Sequence, residues 1–240
     1  MLRLLNRRHT AQQALEAVEN AHKADIHNIS VDFIYGILDN LEKLENLDLL
    51  EKVTHVSAYA LTVEPGTALA VQVEQGRVEL PGDDEVARQY HALHRELEAA
   101  GFRQYEVSNY ARPGFESKHN SRYWDRTPYL GLGPAAHSFD GKCRRWNVSN
   151  VDEYVQGLLG IPRKPRFEQE TLTEADAYNE LMMTSLRTVR GLPVEAVKES
   201  QKRQLQSFVD CNWLVYQDGF YRPTTEGLLH ADGMAAALFI

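Results

Sequence analysis

Asn28-Ile29-Ser30-Val31-Asp32-Phe33-Ile34-Tyr35-Gly36-Ile37 is β-branched and nearly continuous in apolar character. Such a run reads as a strand of a parallel sheet, covered on both faces. Upstream, Thr10-Ala11-Gln12-Gln13 has the form of a capping box, in which a hydroxyl and an amide satisfy the exposed backbone donors of a helix start. Ala11, Ala14, Leu15, Val18 and Ala21 then recur at helical spacing. Downstream, the Leu/Glu/Asn/Asp-rich segment from Leu41 to Lys52 predicts a helix. His55-Val56-Ser57-Ala58-Tyr59-Ala60-Leu61-Thr62-Val63 follows as a second buried strand, stopped by Glu64-Pro65-Gly66-Thr67. After a polar loop at Pro81-Gly82-Asp83-Asp84, Val86, Tyr90, Leu93 and Leu97 mark an amphipathic helix, with Gly101 at its C-cap position. Gln104 to Tyr110 is a short strand. Helices alternating with buried strands predict the α/β class, barrel-like or doubly wound. Sites in such folds lie at the carboxyl ends of the strands, where Asp32, Thr62 and Asn109 fall.

The composition changes near Pro162. Ile161-Pro162-Arg163-Lys164-Pro165-Arg166 reads as a linker and divides the chain into 1–165 and 166–240. Thr173 to Arg190 is expected to be helical and to end at Gly191, Pro193 can open a second short helix, and Lys202 to Cys211 makes a third. Trp213 to Tyr216 and Phe220 to Arg222 flank Gln217-Asp218-Gly219, a hairpin with an Asp-Gly turn. Three helices and a hairpin give a winged-helix pattern. Yet residues 166–240 carry 7 Lys and Arg against 11 Asp and Glu, the opposite of a surface that neutralises phosphates. A packing or lid role fits this region better than DNA binding.

The chain as a whole is acidic, with 240 residues and a formal net charge of -8, which opposes non-specific binding to nucleic acid. No apolar run approaches the roughly 20 residues needed to cross a bilayer. The opening residues Met1 to Arg8 are too short and too quickly polar for a secretory signal. Only Cys143 and Cys211 are present, far apart, which fits a reducing cytoplasm. The expected setting is therefore cytoplasmic.

The densest chemical signal is His119-Asn120-Ser121-Arg122-Tyr123-Trp124, followed by Pro128-Tyr129-Leu130-Gly131-Leu132-Gly133-Pro134-Ala135-Ala136-His137-Ser138-Phe139. Read as a loop, it offers an imidazole to a metal, amides to a carboxylate and flat faces to a conjugated ring. The bland alternative is that His119 caps a loop through a backbone hydrogen bond, and that Tyr123 and Trp124 are core aromatics. Gly131 and Gly133 would allow backbone to approach a ligand closely. His91 and His94 read as a solvated helix surface.

Asn6-Arg7, Asn28 to Gly36, His55 to Thr67, Tyr105 to Pro113, His119 to Trp124, Tyr129 to Phe139 and the C-terminal region together resemble the radical S-adenosylmethionine family of oxygen-independent coproporphyrinogen III dehydrogenases, often labelled oxidases. The haem-chaperone (HemW-type) branch is the nearest match, on His-Asn-x-x-Tyr-Trp. The resemblance implies the C-terminal portion of an incomplete (β/α) radical SAM barrel, followed by a small winged-helix-like α+β domain. It implies haem binding at His119, Asn120, Tyr123 and Trp124, with His119 as iron ligand. It places Arg7 near the carboxylate of S-adenosylmethionine and Asp32 near its ribose hydroxyls, with Leu61, Thr62 and His137 also facing that cofactor. A carboxylate inside a buried strand would itself demand a partner at Asp32.

The same resemblance exposes an absence. The family holds a [4Fe-4S] cluster on Cys-x-x-x-Cys-x-x-Cys, and this chain has no such motif. The chain is expected to begin inside the family's barrel, and it departs from the family pattern again at Ile37 to Asn40. Haem binding and transfer to a receiving protein is the leading expectation. The alternative is a coproporphyrinogen III dehydrogenase in the intact parent, with this chain alone inactive. An uncovered barrel edge is expected to promote self-association.

Overall fold

The computed structural model describes residue 2, residues 4–37 and residues 47–240. Contacts group the chain into two compact units, Met1–Ser117 and Lys118–Ile240.

In the first unit, the Thr10 hydroxyl accepts from the Gln13 amide and the Gln13 side chain accepts from the Thr10 amide. That reciprocal cap starts α1 (Ala11–Lys23), as the sequence predicts. Strand β1 (Ser30–Tyr35) and β2 (His55–Ala60) pair in parallel, from Ser30 opposite His55 to Tyr35 opposite Ala60. Residues 41–46 of the expected Leu41–Lys52 helix, and residues 38–40 of the departure from the family pattern, lie outside the described residues; α2 (Leu47–Glu51) falls within the described part of that span. Thr67 caps α3 (Ala68–Glu74), a helix not anticipated. α4 (Asp83–Ala99) is the expected amphipathic helix and buries Tyr90, Leu93 and Leu97. Gly101, at φ +87°, takes the left-handed turn that ends it.

The segment read as one strand over Gln104–Tyr110 is instead a hairpin of β3 (Arg103–Glu106) and β4 (Asn109–Ala111). β4 runs antiparallel to both β3 and β2, so the sheet, in order β1-β2-β4-β3, is mixed rather than wholly parallel. Nor is β1 covered on both faces. It stands at the sheet edge with Ser30 and Asp32 exposed and only Tyr35 fully buried. Its sequence alternates after all: Val31, Phe33 and Tyr35 share one face, and Ser30, Asp32 and Ile34 the other.

In the second unit, His119 to Trp124 is not a loop. It lies in α5 (Lys118–Trp124). Strands β5 (His137–Phe139), β6 (Cys143–Asn147) and β7 (Phe167–Thr171) form an antiparallel sheet, and α6 (Val151–Leu159) connects β6 to β7. Thr173 caps α7 (Glu174–Leu186), which stops before the expected Arg190. The chain must leave the helix there to enter β8 (Leu192–Pro193), whose Leu192 pairs with Tyr221. A Cβ on Gly191 would stand 2.4 Å from the Tyr221 carbonyl oxygen, so only glycine allows this approach. Pro193 precedes a 3-10 turn, Val194–Ala196, and α8 (Lys202–Asp210) follows. β9 (Leu214–Gln217) and β10 (Phe220–Pro223) flank Asp218 and Gly219, both at positive φ as a type I′ turn requires. α9 (Thr225–Leu229) and α10 (Ala231–Ala237) close the chain.

Met182, Leu186, Leu192, Leu205, Phe208, Leu214, Met234 and Leu238 form one apolar cluster, drawn from α7, β8, α8, β9 and the C-terminal helix. Leu205 is fully buried within it. Leu205→Ala is expected to destabilise this unit by roughly 2–5 kcal/mol, through lost transfer energy and a residual cavity. Thr173→Ala, which removes a helix cap, is expected to cost about 1 kcal/mol. Urea unfolding followed by circular dichroism separates the two.

Candidate functional site

Two places in the chain gather chemistry. The first is a cavity of about 600 Å³ in the N-terminal unit, lined by Leu4, Leu5, Asn6, Arg7, Ile34, Tyr59, Ala60, Leu61, Thr62 and the start of α3 among others. It lies beyond the carboxyl ends of β1 and β2, where the α/β rule places a site. Its rim depends on how the chain leaves β1. Gly36, at φ +79°, turns away, and its amide donates to the side-chain oxygen of the fully buried Gln89 on α4. The Gln89 amide nitrogen returns a bond to the Ile37 carbonyl, and Leu61 N donates to the Tyr35 carbonyl. Glu85 holds the same Gln89 amide, and its carboxyl is lowered to about 2, chiefly by hydrogen bonds from the Arg88 guanidinium and then from Gln89.

Arg7, Leu61 and Thr62, three of the five residues expected to face S-adenosylmethionine, are thus brought together. Asp32 lies two positions before Ile34 on the same face of β1. It is exposed, so the expectation of a buried carboxylate needing a partner fails: β1 is an edge strand. His137 belongs to the other compact unit, exposed on β5 and stacked on Trp146 at 5.8 Å.

Sequence reasoning gave no role to His55, and the structure gives it one. It is buried in β2, with Nδ1 2.8 Å from the Ser30 hydroxyl and Nε2 2.8 Å from the Tyr105 hydroxyl. The Tyr105 oxygen also accepts from Ser117 N, at 3.3 Å. Beside them Glu106 accepts from Ser108 N and from the Asn109 side chain. These groups share the sheet that carries Asp32. The only signal for them was a polar residue at every second position of β1 and β2, concealed by reading both strands as continuous apolar runs. His94, read as solvated, is buried on α4, stacked against Tyr90 and 3.3 Å from Glu98.

The second place is α5. His119 and Tyr123, four residues apart, share one face of the helix. Their rings meet edge-on at 5.1 Å and 89°, and the Tyr123 hydroxyl lies 3.2 Å from His119 Nε2. Tyr123 meets Tyr129 at 4.9 Å, and Tyr129 meets the buried Phe139 at 6.2 Å. Both His119 and Tyr123 are exposed, and Asn120 is half-buried. Trp124 turns elsewhere: the guanidinium of Arg187, just past α7, lies 5.6 Å over its ring. Gly131 does not serve a ligand. A Cβ there would stand 2.0 Å from the His137 carbonyl oxygen, so the chain's own backbone requires the glycine. Among the described residues no group of three or more His, Cys, Asp or Glu could hold a metal ion, and no helix is long and apolar enough to cross a membrane.

The structure is similar to that of coproporphyrinogen III oxidase (HemN) from Escherichia coli, a radical SAM enzyme. The TM-score is 0.72 at 15% identity, over 99% of this chain and 61% of that one. The fold is therefore the α/β fold of that enzyme. In sequence, the chain is 35% identical over 244 residues to the heme chaperone HemW of Mycobacterium tuberculosis, covering 99% of this chain and 62% of the relative. It is 41% identical over 262 residues to the mitochondrial radical S-adenosyl methionine domain-containing protein 1 of Danio rerio, covering 100% and 59%. HemW of Bacillus subtilis is 32% identical over 209 residues, covering 85% and 55%. No family model matches the chain. It belongs to the HemN/HemW-like radical S-adenosylmethionine family, and it spans about three-fifths of the length of the first of these curated relatives.

Burial lowers the His55 pKa below 6.5, against a smaller raising effect of the Asp32 carboxylate; burial likewise lowers that of His94. The unfolded chain therefore binds protons near pH 6.5 that the folded chain refuses. Stability is expected to be full above that value and to fall on acidification until the folded pKa values are reached. His55→Gln should flatten part of this fall, read from denaturation midpoints between pH 7.5 and 5; an unchanged pH profile would refute the assignment.

Proposed function

We propose that this chain is the haem-binding part of a haem chaperone, which takes up haem and passes it to a receiving protein. The observation that carries this is an exposed imidazole, His119, beside the Tyr123–Tyr129–Phe139 aromatic row, in a chain that aligns over 99% of its length with a HemW relative. In this reading His119 ligates the iron, and Asn120 and Tyr123 contact the macrocycle. Trp124 contributes by holding α5 to α7. Residues 1–165 act as part of a radical SAM barrel with its porphyrin-binding segment, and 166–240 as a winged-helix-like domain that packs or covers, in a cytoplasmic setting.

The cofactors of the family fit unequally. A [4Fe-4S] cluster needs clustered thiolates, and Cys143 and Cys211, on β6 and just after α8, do not supply them. S-adenosylmethionine fits better: Arg7 would fork onto a carboxylate, with Leu61 and Thr62 lining the same cavity, and Asp32 lies on the β1 face that carries Ile34.

Titration with iron(III) protoporphyrin IX, followed at the Soret band, tests the main reading. Wild type should bind with a histidine-type spectrum and His119→Ala should lose it; identical spectra would sink the proposal. The β1 edge should also draw chains together, since it pairs on one side only within its sheet. Light scattering is expected to find species above the monomer mass, and a strictly monomeric chain at high concentration would contradict this.

A further inference from the structure

We propose that Tyr123 is a latch on His119: in the haem-free protein its hydroxyl donates to Nε2, and iron reaches that nitrogen only after the hydroxyl has left. This rests on the reading of His119 as the haem ligand, and it adds a regulation of that site. The geometry is specific. The hydroxyl lies 3.2 Å from Nε2, the ring nitrogen farther from the backbone and the freer one for a bulky ligand. The two rings stand perpendicular at 5.1 Å, which brings the tyrosine's polar end to the imidazole rather than its face.

The Tyr123 ring is not left to drift. Tyr129 meets it at 4.9 Å, and Phe139, only 4% exposed, backs Tyr129. The Arg126 and Arg144 guanidiniums lie 5.7 and 5.6 Å over the Phe139 ring, and both pair with Glu180 of α7. A held tyrosine makes a preformed hydrogen bond, so its loss is a real cost to an incoming ligand. The exchange needs no proton shift on the imidazole. A hydroxyl donating to Nε2 leaves the proton on Nδ1, and iron takes the same lone pair of the same tautomer. Tyr123 is 43% exposed, so its ring can swing toward solvent and carry the hydroxyl off Nε2, at the cost of the Tyr129 contact.

The test uses the full 240-residue chain, with Tyr123→Phe keeping the ring and deleting the hydroxyl. Two readouts are needed: iron(III) protoporphyrin IX affinity, and the rate of diethyl pyrocarbonate acylation of His119 without haem, resolved by peptide mass spectrometry. The expected result is faster acylation and haem binding tighter by roughly 2- to 10-fold, the worth of one net hydrogen bond. Unchanged acylation with unchanged or weaker haem binding, while His119→Ala still abolishes binding, overturns the latch and leaves the ligand reading standing. Haem binding indifferent to His119→Ala overturns the ligand reading and the latch with it.

Discussion

The candidate haem site depends on the docking of α5 onto α7. A helix of seven residues has no stability of its own in water, because nucleation is unfavourable and too few turns follow to offset it. What fixes the His119 face is therefore tertiary. Arg126 donates to the Ala177 carbonyl at 3.0 Å and pairs with Glu180 at 3.4 Å, Asp125 meets Arg190 at 2.8 Å, and Arg187 lies over Trp124. Three of these four ties come from Asp125 and Arg126, directly after the helix, and they define where its last turn ends. The motif's tryptophan thus reads as an anchor and its histidine as the group being presented. A short helix carried by side-chain anchors can be shifted by them, whereas a long one would resist.

The N-terminal cavity rests on a different device. Leaving a buried strand end requires partners for backbone groups that the ladder no longer pairs. Gln89 supplies both, accepting from Gly36 and donating to Ile37, with no exposure of its own. The sheet beneath has two characters. Val56 and Ala58 lie in the hydrophobic core, while the alternate positions His55 and Ser57 are buried polar groups. One face builds the core against α4; the other is polar, with the His55 string and Asp32, and reaches the cavity through Ile34 and Tyr59.

Elements with local chemistry were legible from sequence. The Thr10 capping box, the amphipathic α4 with Gly101 behind it and the Asp218-Gly219 turn are each specified within a few residues, and each stands where it was read. What failed was whatever depends on distant neighbours. Continuous apolar character made β1 look central, but burial is decided by how many strands flank it, and it has one in its sheet. His119–Trp124 looked like a loop because His, Asn and Ser are weak helix formers; the ties to α7 override that preference. The strands β5 to β7 gave little signal, since Arg144, Arg145 and Glu170 are charged residues that here cross-pair on a half-exposed sheet. Of the candidate site, grouping was legible only in part: Arg7, Leu61 and Thr62 line one cavity, while His55 and Tyr105 were passed over.

In the proposed reading, an acidic chain would have to reconcile its charge with the two propionates of the macrocycle. The formal net charge of -8 acts over the whole surface, but at physiological salt a charge is screened beyond roughly 8 Å. The local balance governs contact, and α5 is locally basic: Lys118 and Arg122 stand on the same short helix as His119, both exposed, and the helix itself contains no carboxylate. In the proposed reading, a macrocycle edge-on to His119 meets Lys118 and Arg122 of the same helix. The same arrangement disfavours nucleic acid, which needs a long basic track where this surface offers a single turn.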